Sequence, residues 1–181
     1  TVQAWWSRRH QRPVPWERRG PATTAMERAV AVDPDRIAPR LDLAQIYADT
    51  GDKRWLNLSY RFEHHAVLGP LKQRNDPLDG LHGNTQVPKL IGSASRFGYV
   101  GDQNDSVAAT FFWDRVVNHH SFATGGHGKD EYFREPDHLS HIVDGRTAET
   151  CNIYNMLKLT RHLFQWAPSA ELMDFYERGL L

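Results

Sequence analysis

The chain has 181 residues, 40% hydrophobic, 11% aromatic and 24% charged, which suits one globular domain, or a piece of a larger one, with a sizeable core. Its 22 basic and 22 acidic residues cancel, so charge makes no case for nucleic acid or an anionic membrane as a partner. No apolar run approaches the roughly 20 residues of a membrane span, the first twenty residues lack the apolar stretch of a secretory leader, and one cysteine excludes an internal disulfide while leaving the compartment open.

Residues 1–22 hold three Trp, five Arg and three Pro without a clear period and read as an irregular arm. Thr23 or Thr24 is placed to cap a short helix through AMERAVAV that stops at Asp33-Pro34. The arm, with this helix, is taken to end at residue 40. Helical patterns then come in pairs. RLDLAQIYADTGDKRWLNLSYRFEHHAVL reads as helix, turn, helix, with Gly51 ending the first and Asp52 capping the second. Trp55, Leu58, Phe62 and Ala66 fall on one face of that second helix.

Fifty residues on, TQVPKLIGSASRFGYVGDQNDSVAATFFWDRVV repeats the device with Gly101-Asp102. Asn84 or Thr85 is the expected N-cap of its first helix. A third pair, CNIYNMLKLTRHLFQW and LMDFYERGLL, turns at Pro168-Ser169. The reading is all-α: repeated αα-hairpins with a period near 50, as in an αα-toroid, of which three pairs make about half. Turns within hairpins are short, while the links between them, Gly69–Asn84 and His119–Ala148, are long and polar. Long loops on a rigid scaffold are where sites form.

The first link offers His82, either a solvated loop histidine or a sugar or anion contact at a helix N-terminus. The second gathers His119, His120, His127, His138 and His141 with Asp130, Glu131, Glu135 and Asp137. These are zinc-ligand types without a tight ligand motif, so a plain polar loop stays open beside a metal site. Burial of Glu131 by Tyr132 and Phe133 would raise its pKa and suit it to general acid work. Glu149 and Cys151, two apart, diverge within a helix but converge at a helix N-terminus if Glu149 is still extended. A small buried thiol is the plain alternative for Cys151.

LDGLHGNTQVPKLIG, HSFATGGHGKDEYF and AETCNIYNMLKLTRHLF, in that order, resemble the bacterial β-L-arabinofuranosidases of glycoside hydrolase families 127 and 146. The resemblance runs from Leu41 to Leu181. It implies a partial (α/α)6 barrel over those residues and a retaining glycosidase whose nucleophile is a zinc-bound cysteine thiolate. Matched residue by residue, it makes Glu131 the general acid/base, Glu149 and Cys151 zinc ligands, and His82 a substrate contact. The expected partner is an L-arabinofuranose-containing plant-type glycan.

The family's nucleophile and a further zinc cysteine form an adjacent pair well downstream, and the chain is expected to stop short of it and to be inactive alone. Members usually also carry an E-x-G-G-M-N-E-type motif where this chain reads RIAPRLDLAQIY. That departure keeps a second class of function open, a non-catalytic helical carbohydrate-binding or protein-interaction module. A partial toroid also exposes apolar helix faces, so self-association is expected.

Overall fold

A computed structural model of the chain describes residues 38–181, with side chains from residue 43. The readings for residues 1–37, the irregular arm and the helix through AMERAVAV, lie outside the described residues. The described part falls into two compact units that divide after Glu63.

The first unit is a helical hairpin, α1 (Ala38–Thr50) and α2 (Lys53–Arg61). Residues 38–47 of RIAPRLDLAQIY, where the family's acidic motif is expected, lie in α1. Gly51 takes the left-handed conformation (φ +69°) and sends its N–H to the Tyr47 carbonyl at 2.8 Å. Asp52 then caps α2, its Oδ1 accepting the Arg54 N–H at 3.0 Å. Leu43, Trp55 and Phe62 form the small core between the two helices.

The expected second helix is in fact two. α2 stops at Arg61, the Phe62 N–H turns back to Tyr60, and a separate α3 (His65–Lys72) begins. At about 100° per residue, an unbroken helix would set Phe62 and Val67 about 140° apart. The break lets Phe62 and the Val67–Leu68 pair all bury, each in the core of its own unit. Ala66 is therefore exposed, not on the shared apolar face.

The second unit holds α3, α4 (Gly83–Val100), α5 (Gln103–Arg115), α6 (Thr150–Trp166) and α7 (Ala170–Leu180). Helix α5 widens into one π turn, Val116–His120, and a short 3-10 turn, Leu139–Ile142, lies in the long link before α6. Helix α4 packs on α5 and α6, α3 packs on α5, and α7 packs on α6. No strand occurs among the described residues, only isolated bridges between loops.

The other two expected hairpin turns form as read. Gly101 is left-handed (φ +74°), Asp102 accepts the Asn104 N–H at 3.0 Å, and Ser169 accepts the Leu172 N–H at 3.3 Å. The N-terminus of α4 differs. The helix begins at Gly83 with His82 at the cap position, and Thr85 instead donates to the His82 carbonyl at 3.0 Å. Asn84 faces the neighbouring helix, its Oδ1 accepting Asn155 Nδ2 at 2.7 Å.

The core of this unit is one cluster, drawn from α3–α7, the π turn, Leu78 of the first link and Phe133 of the second. Trp113 donates to Thr160 at 2.8 Å and meets the Phe175 ring edge-on, which fixes α5 against α6 and α7. A polar lock between α4 and α5 is buried as well. Arg96 of α4 grips Asp105 of α5 at 2.5 and 2.6 Å, with side chains 2% and 0% exposed. Breaking such a buried pair by removing one partner costs more than replacing both with apolar groups. Asp105→Ala should cost about 3–5 kcal/mol in denaturant unfolding. Arg96→Met with Asp105→Leu should recover most of that loss.

Candidate functional site

The two long links meet, and they meet through backbone. The Phe133 N–H donates to the Leu81 carbonyl at 2.8 Å, the Gly80 N–H to Phe133 at 3.1 Å, and the Gly83 N–H to Glu131 at 2.7 Å. On the other side of the same stretch, the Asp130 N–H donates to Arg146 and the Ala148 N–H to Gly128, both at 3.1 Å. Residues 128–133 are thus held between 80–83 and 146–148. This arrangement sets His82, Glu131 and the Glu149–Cys151 pair on three adjacent segments. Gly126 permits the close approach, because a Cβ there would lie 2.5 Å from that of Ala148.

Beneath these segments lies an aromatic and charged footing. Phe133 is fully buried, with His127 stacked on it at 5.0 Å and His120 edge-on at 5.2 Å. Asp76 of the first link accepts from Arg115 at 2.8 Å and lies 3.0 Å from His120 Nε2. His120 Nδ1 reaches the Arg134 carbonyl at 2.9 Å. Burial alone would raise the Asp76 carboxyl, but the hydrogen bonds from His120 and Arg115 outweigh it and hold it well below the usual carboxylate range. The π turn aims His120 inward to this carboxylate.

Glu131 sits at the tip of a two-residue turn. Lys129 and Tyr132 exchange both backbone hydrogen bonds, at 2.9 and 3.0 Å, and Asp130 and Glu131 have φ of +50° and +71°. Two positive φ values are what a type I′ turn requires, and glycine is favoured at the second position. A glutamate there accepts a disfavoured backbone. Its carboxylate stands 59% exposed with Oε2 3.1 Å from His82 Nε2. The expected burial by its aromatic neighbours does not occur, because Phe133 turns into the core and Tyr132 outward, edge-on to His82 at 5.3 Å.

Glu149 is extended (φ −103°, ψ 133°) at the N-cap of α6 and makes no capping bond. Cys151 lies in the first turn, and its thiol donates to Glu149 Oε1. The two side chains therefore converge. Glu149 Oε2 is buried without a partner, and Cys151 is exposed, so the plain reading of a buried thiol is corrected. The hydrogen bond to Glu149 pushes the thiol pKa up, helped by desolvation and by the charges of Glu149 and Glu131. A sulfur and an unpartnered carboxylate oxygen side by side suit zinc chemically.

No group of three or more His, Cys, Asp or Glu side chains poised for a metal occurs among the described residues. The histidines of the second link disperse instead. His119 pairs with Asp137 at 2.9 Å, His138 with Glu135 at 3.0 Å, and His120 and His127 face the interior. Among the described residues, these histidines do not come together as one group.

Sequence reading missed two contributors. Asn152 is fully buried next to Cys151 and donates to the His127 carbonyl at 3.4 Å. A polar residue on the inner face of an amphipathic helix was the available signal. Asp76 lies in the turn before His82, where its Oδ1 accepts the Leu78 N–H at 2.9 Å, but nothing local pointed to Arg115 or His120 as its partners.

The model of the beta-L-arabinofuranosidase GH127 catalytic domain matches residues 23–181. A solved GH127 beta-arabinofuranosidase is similar with a TM-score of 0.62 at 22% identity, over 78% of this chain and 24% of that one. A solved glycoside hydrolase is similar with a TM-score of 0.62 at 16% identity, over 80% of this chain and 28% of that one. The chain thus spans about a quarter of the length of these relatives, and at such identities the likeness is one of fold. No curated protein matches.

Burial, with a smaller contribution from the charge of His120, lowers the His127 pKa from 6.5 to about 3. The unfolded chain therefore binds a proton between these values that the folded chain does not. Stability should rise with pH across that window and be lost on acidification, by up to about 1.4 kcal/mol per pH unit. The melting temperature should fall from pH 6.5 downward, and His127→Phe should flatten that fall.

Proposed function

The chain belongs to the GH127 beta-L-arabinofuranosidase catalytic-domain family, and from that premise we propose that it carries the acid/base side of a zinc-dependent, retaining β-L-arabinofuranosidase site. The fold is the all-α helical-hairpin architecture of the toroid, as in the solved relatives. The observation that carries the reading is the backbone pairing that sets His82, Glu131, Glu149 and Cys151 together from links far apart in sequence.

Glu131 is the general acid and base. An exposed carboxylate on a rigid turn can protonate a leaving glycosidic oxygen and then take a proton from the attacking water. His82 Nε2 orients one carboxylate oxygen from 3.1 Å, and His82 is the proposed substrate contact beside it. Glu149 and Cys151 are two ligands of the zinc site. Bound zinc keeps coordinated thiols deprotonated near neutral pH. Cys151 is the only cysteine in the 181 residues, so the reacting cysteine and its neighbouring ligand are supplied from outside them. The substrate is a plant-type glycan ending in β-L-arabinofuranose.

A second reading, a non-catalytic carbohydrate-binding or protein-interaction module, draws on RIAPRLDLAQIY standing where an acidic motif is expected, and on the exposed Tyr154, Met173 and Leu180. Those side chains are the proposed self-association surface. A reading frame that continues to an adjacent cysteine pair favours the enzyme, and a frame without one favours the module.

In the protein made from its natural reading frame, Glu131→Gln should cut turnover of an aryl β-L-arabinofuranoside by about 10²–10⁴-fold. Cys151→Ser should lose bound zinc by metal analysis. The 181-residue chain alone should turn nothing over. Full activity in both variants would contradict the assignment.

A further inference from the structure

The turn that carries Glu131 is gripped from one side by groups that the acid/base reading leaves unused. Lys129 Nζ lies 2.5 Å from Asp144 Oδ2, and Asp130 Oδ1 lies 3.0 Å from Arg146 Nε. The Asp130 N–H also donates to the Arg146 carbonyl, and Lys129 bridges to Thr147. Asp144 shapes its own turn at the same time. It accepts the Arg146 N–H at 2.8 Å, and its carbonyl accepts the Thr147 hydroxyl at 2.8 Å.

A left-handed pair of residues with side chains persists only where the surroundings over-determine it. Asp130 suits the first position of this turn, but Glu131 stands where glycine is favoured. The segment that supplies the grip, residues 144–147, runs within two residues into Glu149. One short stretch therefore fixes both the proposed acid and the proposed metal pair. Surface ion pairs in general contribute little to stability. This one, closing a strained turn, has geometry as its main effect, and a small displacement of a reacting group is costly in rate.

We infer that Lys129 and Asp144 are positioning residues for Glu131. Their ion pair holds the left-handed turn in register with the segment that leads to Glu149 and Cys151. The inference rests on the reading of Glu131 as the acid/base. The Lys129 hydrogen bond also keeps the Asp144 carboxyl below its ordinary range.

The test uses the protein from its natural reading frame and an aryl β-L-arabinofuranoside. Lys129→Met and Asp144→Asn should each lower kcat about tenfold with KM within about twofold, because the loss is one of orientation. The double variant should be no worse than the poorer single one, and Lys129→Arg should keep kcat. A merely structural pair would shift Tm and the folded fraction but leave kcat per folded molecule unchanged. Should Lys129→Met fail to fold, Asp144→Asn removes the same pair from its more exposed side. Unchanged kcat in both single variants beside an inactive Glu131→Gln overturns this inference alone. Turnover that survives Glu131→Gln overturns the acid/base reading and this inference together.

Discussion

The site depends on one interaction: residues 128–133 hydrogen-bond through their backbone to 80–83 on one side and to 146–148 on the other. A helical scaffold satisfies its own backbone and leaves long links with donors and acceptors to place. Here the links satisfy one another. The pairing is too short to count as a sheet, yet it lays three segments from separate parts of the sequence side by side, with His82 and Glu131 in contact across two of them. Without it, His82 would be an ordinary helix cap and Glu131 an ordinary loop carboxylate.

The helices make that pairing possible by fixing where each link begins and ends. Helix α4 starts directly after His82, α5 ends in a π turn that delivers His120, and α6 starts directly after Glu149. The buried Arg96–Asp105 pair and the Trp113–Thr160 bond set those helices against each other. Below the links, Phe133 and its two flanking histidines form the floor, with Asp76 joining Arg115 and His120. Three of the five left-handed non-glycine residues among those described, Asp130, Glu131 and Ala148, lie in the paired segments above this floor. Such strain persists where surrounding contacts outweigh it, and it clusters where side chains must be aimed.

Hairpin turns were legible in the sequence because their chemistry is local. Gly51-Asp52, Gly101-Asp102 and Pro168-Ser169 each carry their own capping signal. The break at Phe62–His64 was not legible, since an unbroken apolar stripe through Ala66 satisfies the helical period equally well. Only the separate burial of Val67 and Leu68 decides it. Among the site residues, the convergence of Glu149 and Cys151 followed from their spacing at a helix start. The His82–Glu131 contact and the Asp76 footing did not, because both join residues at least 39 positions apart. The surroundings of Glu131 were misjudged for a similar reason. Adjacent aromatic residues say nothing of which way a left-handed turn sends each ring.

The central claim is that these links assemble the acid/base and two zinc ligands of one site. Anomalous diffraction at the zinc edge, from crystals of the protein made from its natural reading frame, tests it most directly. The account predicts one zinc peak at about 2.3 Å from the Cys151 sulfur and about 2.0–2.2 Å from a Glu149 oxygen, with the Glu131 carboxylate facing it across an open pocket. Zinc bound instead by the histidines of the second link, with Cys151 and Glu149 uncoordinated, would contradict it.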